Sequence, residues 1–214
     1  MARPGKFSAD DILDAAARVV LTHAGSATVA DIARQVGAPV GSIYYRFASR
    51  DELLVSLWLR AVRRFQQGFI AACLGEPAED AVVAAARHIP AFCREHPAEA
   101  RAMTLYRQAE LRRTAPDALR DEVATVNDRV DAVSQELTRR RYGIADERRI
   151  ALMATATRQC PYGLVRPYLG GSIPGWIDDA TAVWARAIAA LGDSREEHDA
   201  ASAPYPVGER LDDG

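Results

Sequence analysis

The chain has 214 residues, of which 49% are hydrophobic and 26% are charged. This length and balance are typical of a soluble globular protein with a sizeable core and one or two domains. No apolar run reaches the roughly 18 residues that a membrane-spanning helix needs, and the N-terminus lacks the apolar core of a signal peptide. We therefore expect a cytoplasmic protein with no membrane partner.

Charge is unevenly distributed along the chain. The net charge is −2, but residues 1–50 contain six basic and four acidic side chains, a balance of +2. Residues 193–214 contain two basic and seven acidic side chains, a balance of −5. The mildly basic N-terminal segment permits nucleic-acid binding without requiring it.

The composition favours helices. Alanine is abundant and alternating β-branched residues are absent, so we predict an all-α fold of about nine helices. Residues 1–7 contain Arg3 and Lys6 and are either a frayed terminus or an arm that reaches DNA phosphates or the minor groove. Ser8 is expected to cap a first helix that runs to about His23.

Two short helical patterns follow, joined by a tight turn. Thr28 is a good N-cap, and apolar residues then recur at three- and four-residue steps as far as Val36. Gly37 is expected to end this helix in the left-handed conformation, and Pro39 suits the first turn of a second helix, Pro39 to Tyr45. Ile43 and Phe47 can face a core. This arrangement is typical of a DNA-binding helix-turn-helix, although ordinary helical hairpins share it.

The motifs T-V-A-D-I-A-x-x-V-G, G-S-I-Y-Y-x-F and S-R-D-E-L resemble the N-terminal signature of the tetracycline-repressor (TetR) family. The match runs from about Phe7 to Leu57. The resemblance implies a three-helix DNA-binding domain at residues 1–50 and a ligand-binding and dimerisation domain at residues 51–192. Residues 193–214 are too poor in apolar clusters to fold and are expected to form a disordered acidic tail.

The resemblance also assigns DNA-binding residues. It places Val40, Gly41, Ser42 and Tyr45 toward the major groove, Tyr44 against phosphate, and the Thr28 hydroxyl where a phosphate could meet a helix N-terminus. Arg50 stands where lysine is usual and keeps the positive charge. Pro39 replaces a commoner serine and removes a hydroxyl.

A long helix follows, capped by Ser49 and Glu52 and running to about Cys73. Its cluster Arg60, Arg63 and Arg64 is expected to be a solvated face. Further helices are predicted over residues 78–95, 98–113, 116–142, 146–168 and 176–191. We expect Pro90 to kink or divide the first of these, and Pro161 with Gly163 to interrupt the fourth.

The last two helices are more apolar than one partner helix requires, so we predict a two-fold homodimer through them. The expected interface residues are Met153, Leu164, Trp176, Ile177, Ala180, Trp184, Ile188 and Leu191. One short recognition helix contacts few base pairs. A dimer carries two such helices and would therefore bind a palindromic operator in double-stranded DNA.

The ligand-binding and dimerisation domain is expected to bind a small-molecule effector. We expect this effector to be mainly apolar, with an aromatic part or with one acidic group that meets Arg107 or His88. The candidate lining residues are Phe65, Phe69, His88, Phe92, Met103, Tyr106, Arg107, Val126, Val130, Thr157 and Cys160, each of which could equally be simple core. The ligand would bind more tightly to a conformation of residues 51–192 in which the two DNA-binding domains of the dimer are wrongly spaced for successive major grooves. Ligand binding would therefore release the protein from DNA.

Other classes of function have less support. Glycine-rich phosphate loops, nucleophile elbows and complete metal-ligand sets are absent from the sequence, so no enzyme, no catalytic residue, no cofactor and no metal is predicted. A redox- or metal-sensing regulator that uses Cys93 with His96, or Cys160, remains an alternative. So does a helical interaction module that does not bind DNA. The interpretation we favour is a ligand-responsive repressor.

Overall fold

The computed structural model describes residues 7–193, and the predicted N-terminal arm and acidic tail lie outside the described residues, apart from Phe7 and Asp193 at their inner ends. The described part contains twelve α-helices and no strand. They are α1 (Ala9–His23), α2 (Val29–Val36), α3 (Val40–Tyr44), α4 (Arg50–Cys73), α5 (Ala78–Glu95), α6 (Pro97–Met103), α7 (Gln108–Thr114), α8 (Arg120–Thr125), α9 (Asp128–Tyr142), α10 (Glu147–Ala154), α11 (Cys160–Val165) and α12 (Trp176–Ala190). The predicted all-α fold is confirmed.

The first three helices and the N-terminal part of α4 surround one core, which we call the head core. Ile12, Val20, Ile32, Ile43 and Leu53 are all buried in it. The predicted cap of α1 is present: the Ser8 hydroxyl accepts from the backbone N–H of Asp11, and the Asp11 carboxylate accepts from the backbone N–H of Ser8. Such reciprocal bonds satisfy donors that a helix start would otherwise leave free, which locates the start of α1.

Helix α4 connects the head to the body. Its 24 residues span roughly 36 Å at 1.5 Å per residue. Leu53, Leu54 and Leu57 belong to the head core, whereas Phe69, Ile70 and Cys73 pack in the body against α5, α9 and α12. The Arg140 guanidinium, on α9, donates to the carbonyls of Cys73 and Gly75, so the far end of α4 is held by the body.

The predicted helix over residues 98–113 is divided into α6 and α7. The intervening Leu105 and Tyr106 pack against the head core instead of continuing the helix. The Thr104 hydroxyl donates to the carbonyl of Arg101 at 2.7 Å and satisfies one acceptor at the end of α6. The prediction of one continuous helix from the apolar periodicity was therefore wrong, because the tertiary contacts of the linking residues outweighed their helix propensity.

The predicted helix over residues 116–142 is also divided, into α8 and α9, with Val126 and Asn127 between them. Gln108 Nε2 donates to the carbonyls of Val123 and Ala124 at 2.8 and 3.2 Å. Gln66 Nε2 donates to the carbonyl of Val126 at 2.8 Å. These side chains replace the missing helical N–H donors, so the break leaves few carbonyls unsatisfied.

The two prolines expected to disturb helices behave differently. Helix α5 runs through Pro90 undivided, so of the two predicted effects the division is absent and the kink stays a prediction. Before Pro161 the chain widens into a π-helical turn, Thr155–Gln159, which separates α10 from α11. The predicted interruption near Cys160 is thus confirmed, and these three divisions account for the twelve helices. None of the described helices is long and apolar enough to cross a membrane.

Candidate functional site

The joint between α2 and α3 has the geometry that the sequence predicted. The Thr28 hydroxyl accepts from the backbone N–H of Asp31 at 3.1 Å and begins α2. Gly37 ends it with φ of 73°, in the left-handed region. The backbone N–H of Ala38 then donates to the carbonyl of Ala33 at 2.9 Å, which satisfies one of the last free acceptors of α2.

Helix α3 is attached to the head by one side and exposed on the other. Ile43 and Phe47 are 1% and 6% exposed and belong to the head core. Val40, Tyr44 and Tyr45 are 40%, 49% and 84% exposed, and Gly41 and Ser42 are exposed beside them. An apolar and aromatic surface of this kind contributes nothing to the head core, so it is available to meet a ligand as large as a DNA groove.

Pro39 occupies a different position from the expected one. It is the N-cap residue of α3, with φ of −61° and ψ of 144°, and the first helical residue is Val40. Its carbonyl accepts from the backbone N–H of Ser42 at 2.9 Å. The predicted first-turn position was therefore wrong by one residue, because an extended ψ is incompatible with the first helical position.

The Thr28 hydroxyl is already engaged in the isolated chain. It donates to Asp31 Oδ2 at 2.5 Å. This bond is the largest of the causes that lower the pKa of the Asp31 carboxyl. A carboxylate so close to the start of α2 would repel a phosphate, so a Thr28 contact would require the side chain to exchange its partner.

Arg50 is also engaged within the head. Its Nε donates to the carbonyl of Ala27 at 2.9 Å and its Nη2 donates to the carbonyl of Gly25 at 2.5 Å. These bonds fasten the start of α4 to the loop that enters α2. The DNA contact that we predicted for Arg50 would use the remaining Nη1, which lies 3.7 Å from Asp51.

Arg46 is one of the six basic residues of residues 1–50 and was not among the predicted DNA-binding residues. It is exposed directly after α3 and forms no ion pair with any described residue. Its place two residues after Tyr44 is a signal that could have selected it, because an unpaired cation beside a groove-facing helix is suited to phosphate.

The body contains an apolar cavity of about 190 Å³. It is lined by Phe65, Ile89, Phe92, Cys93, Ala100, Met103, Arg158, Tyr162 and Leu169. Phe65, Phe92 and Met103 are therefore brought together as predicted. The other six lining residues were not predicted, and two of them, Arg158 and Tyr162, carry polar groups. Arg158 Nη1 donates to Asp131 Oδ1 at 3.3 Å, so its charge is directed to a carboxylate of α9.

The other predicted cavity residues do not line this cavity. They are Phe69, His88, Tyr106, Arg107, Val126, Val130, Thr157 and Cys160. Phe69, Val130 and Thr157 are buried core, and Arg107 is exposed. His88 Nε2 donates to the carbonyl of Phe65 at 2.9 Å, so it contacts the backbone of a lining residue without lining the cavity itself. Neither Arg107 nor His88 is placed at this cavity to meet an acidic group.

Comparisons with known proteins support the assignment of the head. Residues 12–57 match the family model described as bacterial regulatory proteins, tetR family. The N-terminal domain of this chain is therefore of the TetR type found in bacterial regulatory proteins. A comparison with curated protein sequences found no match.

Solved structures extend the likeness in fold to the body. The TetR-family regulator PfmR from Thermus thermophilus is 15% identical, with a TM-score of 0.67 over 84% of this chain and 97% of that chain. A transcriptional regulator from Rhodococcus sp. Rha1 is 17% identical, with a TM-score of 0.67 over 89% and 100%. FadR from Bacillus subtilis in complex with stearoyl-CoA is 18% identical, with a TM-score of 0.54 over 87% and 98%.

The predicted dimer residues of this chain fall into two groups. Trp176, Trp184 and Leu191 are 55%, 52% and 53% exposed, and Ala180 and Leu164 are half-buried. Met153, Ile177 and Ile188 are buried within the chain itself and would not be available to a partner. The apolar stripe predicted from the sequence included residues from two faces of α12. The structure shows that one face is buried within the chain and the other is exposed. Val183, 63% exposed, joins the outer face, which we call the α12 face.

Two of the three cysteines, Cys73 and Cys93, are poorly suited to sensing. Burial raises the pKa of Cys73 to about 12 and that of Cys93 to about 11. Thiolates are the reactive form, so both residues behave as small apolar side chains at neutral pH. Among the described residues no group of three or more metal-binding side chains could hold an ion. These findings disfavour a redox role for Cys93 and a metal site on Cys93 and His96.

Proposed function

We propose that this TetR-family chain is a cytoplasmic homodimeric repressor that binds a palindromic operator and is released by a small, uncharged, largely apolar ligand. The observation that supports it most is the exposed face of α3. Tyr45 is 84% exposed beside Gly41 and Ser42, at the joint that matches the family model. A fold stabilised only by its core gains nothing from that surface, whereas a DNA groove would bury it.

Different residues of this face are suited to contact the bases and the phosphates of DNA. Val40 and Tyr45 would contact base edges, with the Val40 side chain against a thymine methyl group. Tyr44 would hold phosphate, and Thr28 and Arg50 would do so after exchanging or sharing their present partners. Few polar side chains face the groove, so we expect modest base discrimination per half-site, assisted by DNA shape and half-site spacing.

The first test is selection of bound sequences from a random DNA pool, followed by titration of the selected duplex at two salt concentrations. A palindrome with two equal half-sites, bound more weakly at high salt, is the expected result. Failure to enrich any sequence with folded protein would contradict the proposed operator binding.

The α12 face supports the dimer. Trp176, Val183, Trp184 and Leu191 are all more than half exposed. Tyr162 of α11 is 42% exposed as well. Large apolar side chains grouped on one helix are costly to leave in water and are typical of a surface that a second protein covers. In a two-fold symmetric dimer, the α12 face of each copy would cover the α12 face of the other.

The size of the apolar cavity limits the effector. An engineered apolar cavity of about 150 Å³ holds one benzene molecule, and the cavity here is about 190 Å³. FadR from Bacillus subtilis was solved with stearoyl-CoA, a far longer molecule. We propose a ligand of about one aromatic ring with small substituents. The charge of Arg158 is engaged by Asp131, so an acidic group is not required.

Helix α6 connects this cavity to the head. Ala100 and Met103 line the cavity, while Ala98 and Ala102 of the same helix pack against the head core. Met103 packs against the head core as well. A ligand that binds better to a displaced α6 would thereby favour a different head position and shift the population away from the DNA-binding shape.

Filling the cavity tests this link. Ala100→Leu adds three carbons at a wall residue that is 5% exposed. A thermal-shift screen of one-ring aromatic compounds should find ligands for the native chain, and these should no longer raise the melting temperature of the variant. Operator binding by the variant should persist and should resist those ligands. A variant that still responds would exclude this cavity as the effector site.

A further inference from the structure

A second, polar cavity of about 400 Å³ opens between α4 and α9. It is lined by Arg63, Gln66, Gln67, Ile70 and Arg129. It shares none of these residues with the apolar cavity, and none of the five is acidic. Two cations, two amides and one aliphatic side chain are a set suited to a small polar anion.

The two arginines have unused donors. Arg129 is exposed, and its side chain forms no hydrogen bond or ion pair with any described residue. Arg63 uses Nη2 alone, which donates to Glu122 Oε2 at 2.6 Å, so its other N–H groups remain free of described partners. A guanidinium presents five N–H donors in a planar fork that matches the oxygens of phosphate or carboxylate.

Gln66 adds an acceptor with a fixed direction. Its side chain is only 8% exposed, and its Nε2 donates to the carbonyl of Val126 and to Asn127 Oδ1 at 2.8 and 3.0 Å. These bonds fix which way the amide points. No described residue donates a hydrogen bond to Gln66 Oε1, and Gln66 lines the cavity.

An acceptor beside two cations narrows the ligand class. An anion alone would leave Oε1 without a donor, whereas a hydroxyl on the same molecule would supply one. Phosphate monoesters carry close to two negative charges near pH 7 and three acceptor oxygens, enough for both arginine forks. Ile70 offers an apolar surface for the carbon skeleton between the two groups.

We propose that this cavity binds a small phosphate monoester of a polyol. The phosphate lies between Arg63 and Arg129, and a ligand hydroxyl donates to Gln66 Oε1. The site is independent of the apolar effector cavity and of the proposed operator, so the full chain can be tested in the absence of DNA.

The test is isothermal titration of the full chain with glycerol 3-phosphate at constant ionic strength. Saturable one-to-one heat is expected, and Arg129→Gln should weaken it about tenfold or more through loss of a charge-assisted pair. Arg129 is exposed and unpaired with described residues, so its replacement should leave the melting temperature unchanged. Arg113→Gln removes another exposed arginine that pairs with no described residue, and it should leave binding unchanged.

Two further probes separate the parts of the ligand. Methyl phosphate, which has no hydroxyl, should bind more weakly than glycerol 3-phosphate, and malate should bind more weakly than either. The absence of saturable heat, an equal loss in Arg113→Gln, or tighter binding of malate would overturn the proposed site or its ligand class.

Discussion

Two glycines four residues apart in the head serve different purposes. Gly37 has φ of 73°, a conformation that costs an L-residue about 1–2 kcal/mol. Gly41 lies in α3 with ordinary helical backbone, and a Cβ there would meet nothing within 4 Å. Stability therefore requires glycine at residue 37 but not at residue 41, which suggests that Gly41 is present for close approach to DNA.

This contrast predicts opposite effects of one substitution. Gly37→Ala should lower the free energy of unfolding by about 1 kcal/mol or more, because alanine resists the left-handed conformation. Gly41→Ala should raise it by up to about 1 kcal/mol, yet weaken operator binding by occupying the contact surface. Urea unfolding at fixed protein concentration and DNA titration measure the two quantities. Unchanged DNA affinity in Gly41→Ala would remove residue 41 from the interface.

Adjacent tyrosines on α3 should also differ in effect. We predict that Tyr44→Ala lowers affinity for every duplex, because a phosphate contact is independent of sequence, whereas Val40 or Tyr45 substitutions change which sequence is preferred. Titration of the selected operator and a random duplex distinguishes these outcomes. Tyr44→Phe is the control that removes only the hydroxyl. Equal losses on both duplexes for all three positions would contradict the division.

At the scale of elements, α4 and α5 meet closely at one point. A Cβ added to Gly68 would lie 2.3 Å from His88 Cε1, so only glycine lets the ring reach the carbonyl of Phe65. Burial is the largest cause that lowers the pKa of His88, and its bond to Phe65 acts in the opposite sense. The neutral ring, with its proton on Nε2, is therefore the form that fits between the helices.

The depressed pKa of His88 predicts a pH-dependent stability. Unfolded histidine binds a proton near pH 6.5, whereas the folded His88 does so only at lower pH. The unfolded state then holds more protons in that interval, so stability should fall as pH decreases below about 6.5. His88→Gln should reduce this slope in urea unfolding measured between pH 5 and pH 8. A slope that persists in the variant would assign the dependence to other groups.

The arginines of α4 show how tertiary partners change an expectation. Arg60, Arg63 and Arg64 were predicted to form a solvated face. Arg63 and Arg64 are exposed as predicted, whereas Arg60 is half-buried. Arg60, Arg63 and Arg64 pair with Asp14 of α1, Glu122 of α8 and Glu99 of α6, at 2.8, 2.6 and 2.7 Å respectively. Partly exposed pairs of this kind are individually weak, but each one joins α4 to a different helix. No spacing within α4 could have identified those partners.

At the scale of the whole molecule, the α12 face predicts the effect of a charge. Trp184→Lys should raise the dissociation constant of the proposed dimer about tenfold or more, because an ammonium would be buried in the interface. Affinity for the palindrome should fall with it. Ala84→Lys places the same charge at an exposed position of α5 and is the control. Sedimentation velocity over a range of concentrations measures both variants. Persistence of the dimer in Trp184→Lys would relocate its interface.

The local features of this protein were determined by its sequence. The caps at Ser8 and Thr28, the left-handed Gly37, the buried Ile43 and Phe47 and the exposed face of α3 all follow from short-range chemistry, because each depends on residues within one or two helical turns. The same range of interaction explains why the family signature could be recognised in residues 12–57.

Only the tertiary structure decided what depends on distant residues. It divided the helix over 116–142, because Gln66 and Gln108 supply donors to its carbonyls from other elements. It placed Phe65, Phe92 and Met103 at one cavity and His88 behind its wall. It also separated the buried Ile177 from the exposed Trp184, since helical periodicity identifies an apolar stripe but not which partner covers each side.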